Sequence, residues 1–406
     1  MVFTDNLNKA WYRTFQFGLN IASRFVPWRK PKLTTGMGSV SKIPEILKAQ
    51  RVSKVMVVTG RHVGKSLAPA ILESLAAAGI DYVHFSEVEA NPTTTVVYEI
   101  NRLYVENKCD SFLAIGGGSP MDAAKAAAAL AVHPGKDVNK MAGLFKVLHR
   151  LPTFIAVPTT AGTGSETTMA AVITDAATHH KYAIMDVSIV PHFAVLDPEL
   201  TRNLPQKTTS TTGMDALTHA VEAYLCWTNR TKEVDRLAEE ATVTIFKYLE
   251  RAYRDGNDME AREQMLIAAY KAGFAFARAG VGNVHAIAHT LGGLYGTPHG
   301  LANAVILPIV LEEYGPAVYN RLARLAEITN TATAGSDEGK AKAFIKEVYA
   351  MNARMGIPTG FEHIKDEDIP QMVKWALAEA NPVNPVPVVY TPQHCAEVIK
   401  RIKAMA

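Results

Sequence analysis

The chain has 406 residues, 48% of them hydrophobic and 20% charged, which suits two or three domains with buried cores and excludes a disordered scaffold. Its 42 Lys and Arg against 39 Asp and Glu leave a formal charge of +3, dispersed rather than clustered, which excludes a nucleic-acid binder. Cys109, Cys226 and Cys395 stand far apart, giving neither a disulfide framework nor a thiolate zinc site and fitting a reducing, cytoplasmic setting.

Residues 1–31 form an N-terminal extension in which Trp11, Phe15, Phe17, Leu19, Ile21, Phe25 and Trp28 sit among Arg13, Arg24, Arg29 and Lys30. This spacing predicts a short amphipathic helix packed on its own protein or on a neighbouring subunit, with docking on a membrane surface as the alternative. Asp5, Asn20 and Arg24 break the pattern of a secretory leader, and no run of roughly eighteen apolar residues predicts a spanning helix. From residue 32 to 205 short β-rich runs alternate with helical patterns, the signature of a parallel sheet covered by helices. Predicted strands are Lys54–Thr59, Tyr82–Ser86, Ser111–Gly116 and Thr153–Pro158, separated by helices such as Gly64–Ala78 and Thr94–Lys108. Residues 206–406 read as an all-helical domain, with helix-period apolar residues in Thr208–Leu225, Lys232–Tyr253, Ala261–Ala279 and Val284–Tyr295. Asn381–Pro392 reads as an ordered, proline-rich loop before a last helix.

Two loops leave predicted strands with backbone N–H groups and hydroxyls to offer. Gly116-Gly117-Gly118-Ser119 leads into an Ala-rich helix, and Pro158–Glu166 reads PTTAGTGSE. Loops of this kind at the C-terminal ends of parallel strands form a crevice for a dinucleotide pyrophosphate. Neither is GxGxxG nor GxxxxGK[ST], which disfavours a standard Rossmann dehydrogenase and a P-loop NTPase. Further on, Asp215 and His219 are four residues apart, as are His285 and His289, and His299 follows a Thr-Pro turn. Each pair shares a helix face, and together they offer O and N donors for one divalent metal. Imidazole with carboxylate and no thiolate suits Fe(II), Zn(II), Mn(II), Co(II) or Ni(II) alike.

These motifs resemble those of the iron-containing (group III) alcohol dehydrogenases, from about Gly36 to near the C-terminus. The resemblance rests on GGGSPMDAAK (Gly116–Lys125), PTTAGTGSE (Pro158–Glu166), TGMDALTHAVEAY (Thr212–Tyr224) and the HAIAH…TPHG segment, in order and spacing. It implies an α/β N-terminal dinucleotide-binding domain plus an all-α C-terminal domain, the dehydroquinate synthase-like fold, with the active site in the cleft between them. Metal ligands are implied at Asp215, His219, His285 and His299, holding Fe2+ or alternatively Zn2+, with His289 close by as a catalytic proton relay. NAD or NADP is implied at Gly60, Gly117, Gly118, Ser119, Asp122, Thr159, Thr160 and Thr163.

The activity implied is hydride transfer between NAD(P)(H) and a small primary alcohol or diol or its aldehyde, the carbonyl polarised by the metal. A glycerol-dehydrogenase-like polyol oxidoreductase is the runner-up. A dehydroquinate-synthase-like lyase would need a phosphate-binding basic cluster, absent near the metal motifs. A homo-oligomer is expected from the family habit and the aromatic N-terminal segment. Two positions depart or add to the pattern. Val58-Thr59-Gly60-Arg61-His62 lacks the carboxylate that NAD-preferring relatives often place after the first strand, and Arg61, His62 or Lys65 would attract a 2′-phosphate. Arg278, with Phe274 and Phe276, is expected at the pocket wall, reading an acidic substrate unless a salt bridge engages it.

Overall fold

The computed structural model describes residues 2–178 and 180–405, with the backbone alone for residues 2–6. Residues 1, 179 and 406, which the ranges 1–31, 32–205 and 206–406 take in, lie outside the described residues. The chain forms two compact units: one comprises Pro27–Leu204 and Gly256–Tyr270, the other the chain up to Val26, Pro205–Asp255 and the chain from Lys271 onward.

The first unit is built on a six-stranded parallel sheet. In chain order its strands are β1 (Lys32–Thr35), β2 (Lys54–Thr59), β3 (Asp81–Phe85), β4 (Ser111–Gly116), β6 (Thr153–Pro158) and β9 (Phe193–Leu196). β5 (Gly143–Leu144), β7 (Ala170–Thr174) and β8 (Lys181–Met185) make a smaller sheet beside it in sequence. The large sheet runs β1-β9-β6-β4-β2-β3, every neighbour parallel. Strands buried on both faces read as continuous apolar runs, and the pleat sends alternate residues to opposite sides. Met56, Val58, Phe112, Ala114, Phe154 and Ala156 enter one core, whereas Val55, Val57, Leu113, Ile115, Ile155 and Val157 enter another.

The predicted strands appear within a residue of their places. The helix expected over Gly64–Ala78 divides into Arg61–Ser66 and Ala68–Ala77, because Pro69 cannot donate a backbone hydrogen bond and constrains the residue before it. The antiparallel pair β7–β8 was not foreseen, since its strands are short and their buried residues Ala171, Ile173 and Ile184 join the core only through tertiary packing.

His192, just before β9, accepts a hydrogen bond at Nδ1 from the Phe154 N–H, at 3.1 Å. Burial, reinforced by Arg29 and Arg150, pulls its pKa down to about 4. An unfolded chain protonates this ring near 6.5, so between those values the unfolded state holds the extra proton. Stability from the neutral ring is complete above pH 6.5 and is lost as pH falls toward 4, by about 2 kcal/mol after allowing for partial exposure. Urea midpoints across this window should fall less in His192→Asn than in the parent; parallel profiles would acquit the histidine.

Among the described residues the second unit holds helices and no strand, in line with the texture read after Pro205. Its central helix, Gln206–Leu225, is buried from Thr209 onward on almost every side, yet carries Asp215, His219 and Glu222 there. The helices Lys232–Arg254, Asn283–Tyr295 and His299–Tyr314 belong to the same unit.

The N-terminal helix, Val2–Ser23, docks through a mixed face on which Tyr12, Phe15 and Leu19 are half-buried beside buried Gln16. Arg13 donates to the carbonyls of Val386 (2.8 Å) and Pro387 (2.9 Å) and lies over the Trp227 ring. Gln16 donates to Asn384 O and Asn20 to Thr228 O. The helix was legible in the sequence; which of its apolar residues turn inward was not, and Leu7, Trp11, Phe17 and Ile21 stand outward.

Candidate active site

Helical spacing assembles one cluster. Asp215 and His219 share a face of the helix Gln206–Leu225, His285 lies in the first turn of Asn283–Tyr295, and His299 opens His299–Tyr314. One ligand atom from each of these four residues lies within 4.8 Å of the other three. Close helix approach makes this feasible: a β-carbon on Gly300 would come within 2.5 Å of the Thr211 carbonyl oxygen. Glycine there lets the start of the last helix settle against the first, with His299 Nε2 3.4 Å from Asp215 Oδ1.

The surroundings prepare the donors. Burial pulls His285 well below the usual imidazole range, keeping the ring neutral with a lone pair to offer. Glu222 Oε2 lies 2.6 Å from His285 Nδ1, while Glu222 Oε1 accepts from the Val284 N–H at 2.8 Å. Burial pushes the Glu222 carboxyl up to about 8. In the tautomer that donates Nδ1–H to Glu222, the bare nitrogen of His285 is Nε2, facing Asp215. Phe276 stacks on His219 with ring centroids 4.1 Å apart, shielding that imidazole from water.

Asn303 tests whether a cation fits. Its Nδ2 lies 2.7 Å from Asp215 Oδ1 and 3.1 Å from Nε2 of both His285 and His299. An amide nitrogen has two hydrogens and cannot satisfy three acceptors. A divalent cation satisfies converging carboxylate and imidazole lone pairs together, so the residues present fit one.

His289 stands at the edge of the cluster. Its Nδ1 is 2.6 Å from Glu379 Oε1, its ring stacks on His299 at 5.0 Å, and its side chain is 34% exposed. Arg278, for which a substrate contact and a salt bridge were both open, pairs with Glu233 at 3.2 Å.

The glycine loops converge in the α/β unit. β4 ends at Gly116, with φ +154°, and the helix Gly118–Ala131 starts two residues later with Gly117 at its N-cap and Ser119 in its first turn. A β-carbon on Gly117 would lie 3.4 Å from Thr160 Oγ1, and one on Gly118 3.2 Å from Thr163 Cγ2. The Thr159 N–H donates to Gly116 O, tying one loop to the other at 2.9 Å. Unhindered N–H groups at a helix N-terminus make this an anion cradle. Gly60 caps the helix that follows β2.

Asp122 is turned toward the protein: it accepts from the Ser165 hydroxyl (2.7 Å) and the Val172 N–H (3.0 Å). Fully buried Lys125 donates to Ser165 Oγ, Thr168 Oγ1 and the carbonyls of Thr168 and Ala170, all within 3.1 Å. Burial pulls its ammonium down to about 8 and pushes the Glu166 carboxyl up to about 7. Asp122 and Lys125 thus hold the second loop in place.

Sequence reasoning singled out the four clustered residues and His289 but not Glu222, Asn303, Glu379 or Lys125. Glu222 and Lys125 lay inside quoted motifs. A carboxylate three residues after His219, on the same face, was the available signal for the former.

An anion cradle at a helix N-terminus and a buried Asp/His donor set in one chain suit the class of metal-dependent enzymes that use a phosphate-bearing coenzyme. The comparisons narrow this. Residues 30–198 match the iron-containing alcohol dehydrogenase family, and residues 209–402 match the family's C-terminal part; the chain belongs to that family and is an alcohol dehydrogenase. The NAD-dependent methanol dehydrogenase of Bacillus methanolicus is 36% identical over 380 residues, 93% of this chain and 98% of its own. The NADPH-dependent butanol dehydrogenase of Clostridium saccharobutylicum is 38% identical over 328 residues, 80% of this chain and 82% of its own. The crystal structure of a 1,3-propanediol oxidoreductase superposes with a TM-score of 0.89 at 34% identity, covering 93% of this chain and 100% of that one.

Proposed function

We propose that this enzyme transfers hydride between NAD(H) and small primary alcohols or diols and their aldehydes, with Asp215, His219, His285 and His299 holding Fe2+, or Zn2+ in its place. The observation that carries the reading is the convergence of those four donors within 4.8 Å. The relatives named for methanol, butanol and 1,3-propanediol support the substrate class. A divalent cation bound there supplies Lewis-acid polarisation of the substrate oxygen.

The chain's own residues do the rest. His285, kept neutral by burial and oriented by Glu222, offers Nε2 without competing protonation. His289, held through Nδ1 by Glu379 and partly open to solvent, takes the hydroxyl proton outward during alcohol oxidation. Gly117, Gly118, Ser119, Thr159, Thr160 and Thr163 cradle the pyrophosphate, Gly60 lies along the adenosine side, and Asp122 acts through the loop it supports. Residues 32–205 serve the coenzyme and 206–406 the metal. The setting is cytoplasmic, in keeping with three buried free cysteines.

Arg61 bears on coenzyme choice. Its Nε lies 2.5 Å from Glu87 Oε2, and its guanidinium is 3.6 Å from Glu89. A 2′-phosphate would have to displace these carboxylates, which favours NAD(H) over NADP(H). Glu87→Gln should therefore raise kcat/KM for NADPH relative to NADH by about tenfold, because one competing charge is gone. An unchanged ratio would show that Arg61 takes no part in the choice.

The central test is the initial rate with 1-butanol, 1,3-propanediol and their aldehydes, after anaerobic chelation and again after adding Fe(II) or Zn(II). Activity should vanish and return. Full activity in metal-free protein would refute the reading.

A further inference from the structure

The helix Val2–Ser23 precedes both family-matched regions, and the proposed function gives it no work. We propose that its outward face docks on an anionic lipid bilayer, lying in the plane of the interface.

Three observations carry this. The helix spends its polar groups on its own subunit: Arg13, Gln16 and Asn20 all bond backbone carbonyls of that unit, and Gln16 is 1% exposed. At 100° per residue, the opposite sector carries Leu7, Trp11, Phe17 and Ile21, and Phe25 follows the last turn. These are 55%, 58%, 60%, 44% and 83% exposed. Nothing but Ala10, Thr14, Gly18 and Ala22 lies between them, so the apolar stripe is continuous. An aromatic stripe of this size on a helix already anchored by its other side is a surface made for a partner.

Charge selects the partner. Between Asp5 and Glu45 the chain holds no carboxylate side chain, whereas Lys9, Arg24 and Lys30 fall within the helix and the residues just after it, Arg13 and Arg29 being engaged by backbone carbonyls of the protein itself. A second copy of the same segment would bring like charges together. Anionic headgroups bring opposite ones, and Trp and Phe with flanking Lys and Arg are the residues that settle at the boundary of headgroup and acyl chain. No helix among the described residues is long and apolar enough to cross a membrane, so the attachment is to one leaflet.

The test is flotation of the full-length enzyme with vesicles of phosphatidylglycerol and phosphatidylcholine, or of phosphatidylcholine alone. The enzyme should float with the anionic vesicles only. Roughly 0.5 M salt should reduce that binding about tenfold by screening. Trp11→Glu/Phe17→Glu, altering two exposed side chains, should reduce it at least about tenfold while alcohol oxidation in vesicle-free buffer is retained. Three results would overturn the proposal. They are no flotation with anionic vesicles, equal flotation with phosphatidylcholine alone, and a smaller assembly for the variant without lipid. The last would make a second copy of the chain the occupant of the stripe.

Discussion

His285→Ala should leave a folded enzyme with less than one metal ion in ten chains and turnover lowered roughly a thousandfold or more, the several kcal/mol that carbonyl polarisation by a metal supplies. The imidazole is 2% exposed and is one of four donors with ligand atoms no more than 4.8 Å apart. Its loss opens the cluster and also leaves Glu222 Oε2 without the Nδ1 partner it had at 2.6 Å. An unpaired buried acceptor costs about 1–3 kcal/mol, so the melting temperature should fall by several degrees without loss of cooperativity. Metal content by mass spectrometry and kcat are the readouts. A variant that keeps both would remove His285 from the ligand set.

The second large effect concerns a residue that touches no metal. Glu222→Gln keeps volume and keeps an oxygen for the Val284 N–H. Its amide then presents hydrogens to His285 Nδ1, turning that nitrogen from donor to acceptor and moving the ring proton to Nε2. The lone pair aimed at the cluster disappears. Metal affinity should drop about 10–100-fold, the usual cost of losing a carboxylate behind a metal-binding histidine. Glu222→Asp, which keeps the carboxyl group, should lose less. The comparison separates tautomer control from simple packing, because only Glu222→Asp shortens the side chain while only Glu222→Gln reverses the hydrogen bond. Equal losses in the two would assign Glu222 a structural role alone.

Local pattern explains what was legible beforehand. Strands buried on two faces are runs such as KVMVVT and SFLAIG, bounded by glycine or polar residues, and the sheet reproduces them. Asp215–His219 and His285–His289 are i, i+4 pairs, so their shared faces follow from helix geometry before any tertiary structure is known. The division of labour within the second pair is not local. His285 points to Glu222, 63 positions earlier, and His289 to Glu379, 90 positions later. Asn303 meets His285 across 18 positions and Asp215 across 88, and Gly300 lets its helix settle against the one that carries Asp215. The N-terminal helix shows the same limit. Its amphipathicity was plain, but which face turned inward depended on backbone carbonyls of residues 384–387 and 228.

The sheet-bearing unit is discontinuous in sequence, and that affects how the protein is made. Tyr270 donates its hydroxyl to Pro31 O at 2.9 Å, and Arg262 reaches the carbonyls of Arg202 and Leu204. A nascent chain that has emerged only to residue 204 possesses every strand yet lacks the segment that closes this unit. Some fifty residues of helical unit must leave the ribosome first, since Pro205–Asp255 intervenes. Moreover, the helix Met259–Ala279 begins in one unit and ends in the other. Synthesis therefore cannot complete one unit and then start the next in the usual N-to-C order; during translation the first unit waits for residues 256–270, which follow the first long stretch of the second.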